Sequence, residues 1–212
     1  MADTKTPLEE DRFYHIYNHA VGSDILFTKD NNYLYFLQLF SKYLSNFVEV
    51  YAYCLLPNHF HFIIKVKSFD EINKNLMKEQ YEALRGLQTT HGASNEINIA
   101  TTISKQFSHF FNSYAQAFNK QENRKGSLLN NRFKRKQVTD DTYLLKLIHY
   151  IHYNPVEANL CSKISDWRYS SYNAILSDKN TLVVRDKVIE LFGDKQNFIY
   201  CHTIEPTISG FD

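Results

Sequence analysis

Two histidines separated by one residue offer the first chemistry in this chain. His59 and His61 open the run His59-Phe60-His61-Phe62-Ile63-Ile64-Lys65-Val66, which alternates as a β-strand. Phe60, Phe62, Ile64 and Val66 fall on one face, and His59, His61, Ile63 and Lys65 on the other. Same-face neighbours along a strand sit roughly 6–7 Å apart, so two imidazoles there can converge on one metal ion. A candidate third ligand lies far along the chain. Tyr150 and Asn154 are four residues apart and share one face of a helix, at the flank of the apolar stripe Leu144, Leu147, Ile148 and Ile151. Two imidazoles and an amide oxygen leave coordination positions open, as a catalytic metal site requires, with a tyrosine one turn away. The same spacings also suit a pair of surface histidines, a packing tyrosine, and an asparagine that caps a helix before Pro155.

Tyr114 is a competing hydroxyl, also on a helix near an asparagine. Its Asn119 is five residues on, about 140° round the helix, so the two share no face. Tyr114 instead continues the stripe Ile103, Phe107, Phe110, Phe111 and Phe118, which marks it as core.

Charge is almost balanced, at +1, so the total says nothing about an anionic partner. Its distribution does. Lys120, Arg124, Lys125, Arg132, Lys134, Arg135 and Lys136 lie within one stretch that holds a single acid, Glu122. Such a stretch can neutralise phosphates or serve as a solvated loop. Lys65, on the histidine face, joins the candidate phosphate contacts.

The elements that must position these residues follow from pattern. Arg12 to Asn18 reads as a strand, and Tyr33 to Phe47 as a helix of about 15 residues. Val48–Leu55 and His59–Val66 read as strands around a Pro57-Asn58 turn. Residues 68–100 are polar, with two weak helical stretches. The Phe-rich helix then runs to about Asn119, a loop around Gly126 follows, and Phe133–Val138 is a short strand. Thr139-Asp140-Asp141 supplies an N-cap for the helix carrying Tyr150, which Pro155 closes or bends. This order gives an α+β fold, a ferredoxin-like antiparallel sheet with helices packed on one face. Residues 1–177 form the main domain. Residues 178–212 are a more polar C-terminal extension of unknown role, with a short helix near Lys187–Phe192.

Composition excludes several classes. Hydrophobic residues at 43% and charged residues at 22% rule out a disordered chain. Sixteen Phe and fifteen Tyr suit a protein that packs or stacks flat rings. Cys54, Cys161 and Cys201 are odd in number and widely spaced, which points to a reducing compartment and away from a structural zinc site. No signal-peptide core or membrane-length apolar run is present, so a cytoplasmic protein without a membrane partner is expected.

Pro57-Asn58-His59-Phe60-His61 and the apolar strand after it resemble the HUH motif (His, hydrophobic, His) of single-strand DNA endonucleases. Tyr150-Ile151-His152-Tyr153-Asn154-Pro155-Val156-Glu157-Ala158 is similar to the tyrosine-bearing helix of the REP-associated tyrosine transposases. Three further segments match in order: Tyr14-His15-Ile16-Tyr17-Asn18, Gly126-Ser127-Leu128 leading to Arg132-Phe133-Lys134, and Asp166-Trp167-Arg168-Tyr169-Ser170-Ser171-Tyr172. The resemblance spans roughly residues 12–173. It implies that His59, His61 and Asn154 bind a divalent metal, Mg²⁺ or Mn²⁺, and that Tyr150 is the nucleophile. In related insertion-sequence transposases the amide is often glutamine, so Asn154 matches the REP-associated branch.

The implied function is metal-dependent cleavage and rejoining of single-stranded DNA through a 5′-phosphotyrosine intermediate, with hairpin-containing repeat DNA as partner. Members of the class include dimers in which one tyrosine helix serves the partner's histidines. A homodimer, with Tyr150 acting in trans, is therefore an expectation beside the cis arrangement, and the setting is the cytoplasm in association with the nucleoid. The rival, from a different class, is a catalytically idle hairpin-binding protein on the same fold.

Overall fold

The computed structural model describes residues 4–75 and 98–207. Strand β1 (Phe13–His19) is followed by α1 (Asp30–Leu44), β2 (Val48–Leu56) and β3 (His59–Val66). After the short α2 (Phe69–Asn75) come α3 (Ile99–Gln121), β4 (Lys134–Val138) and α4 (Asp141–Glu157), which carries Tyr150. A 3₁₀ turn (Ile164–Asp166), α5 (Tyr172–Leu176), α6 (Arg185–Leu191) and α7 (Lys195–Cys201) complete the described chain. The second weak helical stretch expected before residue 100 falls within 76–97, outside the described residues.

The four strands are ordered β2-β3-β1-β4, all antiparallel, which is the expected ferredoxin-like α+β sheet. One face is a ring-packed core. Phe40 stacks on Phe62 at 4.3 Å, and Phe36 meets Phe60 at 5.1 Å and Phe110 at 4.7 Å, so α1 and α3 form the layer over this face. Helix α3 holds its place through the stripe seen in the sequence, which is buried from Ile103 to Phe118, and through Asn98, whose side chain accepts the Thr101 N–H.

The opposite face is covered as well. Helix α4 lies on it, bringing Tyr150 edge-on to His61 with ring centroids 6.4 Å apart. A strand covered on both faces should bury both sets of side chains, and seven of the eight residues of β3 are buried. Asp140 caps α4 by accepting the Tyr143 N–H. Pro155 does not end the helix, which runs two residues further and stops where Asn159 adopts a left-handed φ of 55°.

The segment 167–184 seals the outer edge of β2. Leu55 N–H donates to Tyr169 O, Ser171 N–H to Tyr53 O, Val184 N–H to Val50 O, and the Trp167 indole N–H to Leu55 O. An unpaired strand edge invites pairing with another chain, and these bonds remove that exposure. The described residues beyond 177 therefore pack on the sheet and on α4. Among the described residues, no helix is long and apolar enough to cross a membrane.

Candidate active site

The Pro57-Asn58 turn sets the first histidine. Leu56 and His59 are paired across it, and the Asn58 side-chain oxygen lies 2.8 Å from His59 Nδ1. His61 follows on the same face, its ring perpendicular to that of His59 and 5.1 Å away. The reading of a surface histidine pair is overturned: His59 is 8% exposed and His61 is fully buried. Strand β1 adds a second row. Its register places Tyr17 opposite His61 and His19 opposite His59, and the rings of His19 and His59 stack at 4.7 Å. His15 Nε2 lies 2.9 Å from His61 Nδ1. In both motif histidines the Nδ1 nitrogen is thus engaged within the protein, so metal coordination would use Nε2.

From α4, Tyr150 is 1% exposed and Asn154 3%. Tyr150 faces His61 of the same chain. The Asn154 side-chain nitrogen is buried without a hydrogen-bond partner among the described residues. Together, two imidazole nitrogens and one amide oxygen would make a neutral N₂O donor set. That set suits a divalent ion which keeps water or phosphate oxygens in its remaining positions.

His152, on the other flank of α4, belongs to a separate network. Tyr53 N–H donates to Ser171 Oγ at 2.9 Å, and Ser171 Oγ lies 2.7 Å from His152 Nε2. His152 Nδ1 lies 2.9 Å from His202 Nε2, and His202 Nδ1 lies 2.7 Å from Phe198 O. The carbonyl can only accept and the Tyr53 amide can only donate, so one proton order satisfies the chain, and both imidazoles are neutral in it. Burial drives the pKa of His202 down to about 3 and that of His152 well below its usual range. This network ties the edge of β2 and the C-terminal α7 to the helix that carries Tyr150.

Tyr114 lies on the opposite side of the sheet. It is 4.8 Å from Phe36, donates its hydroxyl to Leu26 O, and has its pKa raised by burial. The sheet separates it from the histidines.

The basic residues do not form one patch. Lys134 and Lys136 pair with Tyr17 and His15 in the sheet and so share the histidine face. Lys134 Nζ sits 5.3 Å over the Tyr17 ring, and Lys136 donates to the Tyr143 hydroxyl at 3.0 Å. Lys65 is at the far end of that face, paired with Asp11 at 2.9 Å. Arg135 points the other way, as strand alternation requires. It is buried, donates to Ser104 Oγ and Thr6 O, and lies 4.4 Å from the Phe133 ring centroid. Arg124 is ion-paired with Asp24 and also donates to Asn119 and to Ser127 O. Lys120, Lys125 and Arg132 are exposed, with Arg132 at a left-handed φ of 65° before β4.

No protein-family model matches the chain. A curated protein of Haemophilus influenzae, named as a REP-associated tyrosine transposase, is 27% identical over 127 residues, 59% of this chain. The chain spans 59% of that relative's length. A solved structure of a REP-associated tyrosine transposase bound to a REP hairpin superposes with a TM-score of 0.54 at 17% identity. The match covers 84% of this chain and 87% of that one. The chain resembles the REP-associated tyrosine transposases in sequence and in fold.

Sequence reasoning missed His15, Ser171 and His202. The alternation Phe13, His15, Tyr17, His19 was a visible signal for the first. Strand register, which no single strand reveals, decides that His15 meets His61.

Proposed function

We propose that this protein is a tyrosine HUH endonuclease and strand transferase that acts on single-stranded DNA next to a hairpin. The observation that carries the reading is the packing of Tyr150 against His61 within one chain, across the interface between α4 and β3. A nucleophile and a candidate metal ligand held on rigid elements have the preorganisation that an in-line displacement needs.

Tyr150 is the nucleophile, with His59, His61 and Asn154 as the residues that would hold Mg²⁺ or Mn²⁺. When bound, the ion would polarise the scissile phosphate and stabilise the charge that develops on it. An ordinary tyrosine hydroxyl has a pKa of about 10 and is a weak nucleophile at neutral pH. In the step itself, Tyr150 Oη forms a bond to phosphorus, the bond from phosphorus to the 3′ oxygen breaks, and the phenolic proton passes to the departing 3′ oxygen. The product is a 5′-phosphotyrosine and a free 3′ hydroxyl. Because the ester conserves the bond energy, a 3′ hydroxyl can reverse the step and join strands without a nucleotide cofactor.

Lys134 and Lys136 flank the site from β4 and are assigned to the phosphate backbone, with Lys65, Lys120, Lys125 and Arg132 as outlying contacts. The rival reading is a hairpin-binding protein without catalysis on the same fold.

A nicking assay separates the two. The protein is incubated with end-labelled single-stranded DNA carrying a hairpin and with Mn²⁺, and cleavage is read on a denaturing gel. Cleavage that disappears in chelator supports the enzyme. Hairpin binding without cleavage at any metal concentration supports the idle binding protein.

A further inference from the structure

His15 belongs to no part of the proposed reaction, yet it is buried against one of its residues. His15 Nε2 is 2.9 Å from His61 Nδ1, and the two ring planes are within 21° of each other. A ring nitrogen lies about 1.15 Å from its centroid, so a collinear N–H···N contact of that length puts the centroids roughly 5.2 Å apart. The observed separation is 5.1 Å. The rings therefore meet end to end in a common plane, the geometry in which an imidazole N–H points along a partner's lone pair. A face-to-face stack cannot bring nitrogens to 2.9 Å. Tyr17 stacks on His15 at 4.6 Å, within 19° of parallel, and lies 5.8 Å from His61 at 20°, so it holds both rings near one orientation.

We propose that His15 is a positioning residue that accepts the Nδ1–H of His61 and so fixes His61 in the tautomer whose Nε2 carries the metal-binding lone pair. The proposal rests on the metal reading given above. A neutral imidazole has one N–H and one lone pair, and it can bind a metal through Nε2 only when the proton is on Nδ1. For that proton the structure supplies an acceptor at each motif histidine. His59 has the Asn58 side-chain oxygen, which comes with the turn, and His61 has His15 from the neighbouring strand. Carboxylates and backbone carbonyls are the usual partners of a metal-bound histidine. An imidazole here performs the same task without bringing negative charge next to the DNA phosphates. His15 must itself carry its proton on Nδ1, so the pair is ordered as a unit.

Two measurements test this. The first is long-range ¹H–¹⁵N NMR of the histidine side chains in the metal-free wild-type protein near pH 8, with His61 assigned through His61→Gln. The Nδ1–H tautomer is expected at His61. An Nε2–H tautomer there would overturn the proposal. The second is Mn²⁺ titration by calorimetry of wild type, His15→Phe, His15→Gln and His61→Ala. His15→Phe keeps a ring against Tyr17 and lacks the acceptor, so its Mn²⁺ affinity should fall about 10- to 100-fold. His15→Gln restores an acceptor oxygen and should recover part of that loss, with the melting temperatures of the two variants close together. Equal Mn²⁺ affinity in His15→Phe and wild type, with His61→Ala defective, overturns the role of His15 and leaves the metal reading standing. Wild-type affinity no tighter than that of His61→Ala overturns the metal reading and the proposal with it.

Discussion

Both faces of the sheet are covered by helices, yet they do opposite work. On one, Phe36, Phe40, Phe60, Phe62 and Phe110 interlock by ring contacts alone, with no polar atom to satisfy. On the other, His15, His59, His61 and Tyr150 occupy equivalent positions on the strands and on the helix over them. Buried nitrogens on that face cost stability unless a neighbour orders them, and the Nδ1 atoms of His59 and His61 are held in this way by Asn58 and His15. The alternation of one strand thus separates a face that holds the fold from a face that carries the candidate site.

Substitutions on the two faces should separate in the same way. The largest effect expected is on the histidine face: His61→Ala should abolish cleavage while hairpin affinity, drawn from distributed phosphate contacts, changes little. A filter-binding and nicking pair on one preparation checks this, and cleavage retained by His61→Ala would put the two faces on the same footing. Phe62→Ala, its neighbour on the opposite face, should lose about 3–5 kcal/mol of stability through the cavity it leaves. Urea denaturation reads that loss, and the folded fraction of the variant should still cleave.

A smaller effect follows from the ordered chain through Ser171, His152 and His202. His202 has a folded pKa of about 3 because burial disfavours its charged form, against an unfolded value near 6.5. Between those values the unfolded chain binds more protons, so stability falls as the pH drops below about 6.5, by about 2 kcal/mol at pH 5 from this residue. His202→Gln, which cannot titrate, should make the stability curve less steep between pH 6.5 and 5, with the rest of the slope coming from buried groups such as His152. An equally steep curve in the variant would remove His202 from the explanation.

The smallest effect concerns β4. Lys134→Ala with Lys136→Ala should weaken DNA binding and lower the slope of log affinity against log salt by about 1–2, with little change in melting temperature. Arg135→Ala, between them, should do the reverse, because its guanidinium is buried against Ser104 and Phe133. A loss of salt slope without a loss of stability in Arg135→Ala would return that residue to the DNA surface.

Much of this was legible in the sequence because it is local. The alternation of β3 fixed its ends at His59 and Val66, the stripe from Ile103 to Phe118 fixed the buried side of α3, and Asp140 announced the start of α4. What stayed hidden depends on register and on distant pairing. The basic run from Lys134 to Lys136 reads as one patch, yet its middle residue must face the opposite side of the sheet. The contact of His15 with His61 needs two strands aligned, and that of His152 with His202 joins residues 50 apart. Helix α7 carries only a short apolar pattern, with Phe198 as its buried residue, too little for a confident period.

The assignment of the nucleophile is the point on which the rest depends, and trapping the covalent intermediate tests it most directly. Wild type, Tyr150→Phe and Tyr114→Phe are each incubated with a labelled single-stranded hairpin substrate and Mn²⁺, then denatured, digested and mapped by mass spectrometry. A phosphotyrosine on Tyr150 is predicted in wild type and in Tyr114→Phe, with none in Tyr150→Phe although that variant folds and binds the hairpin. An adduct on Tyr114, or one that persists in Tyr150→Phe, would contradict the division of labour between the two faces.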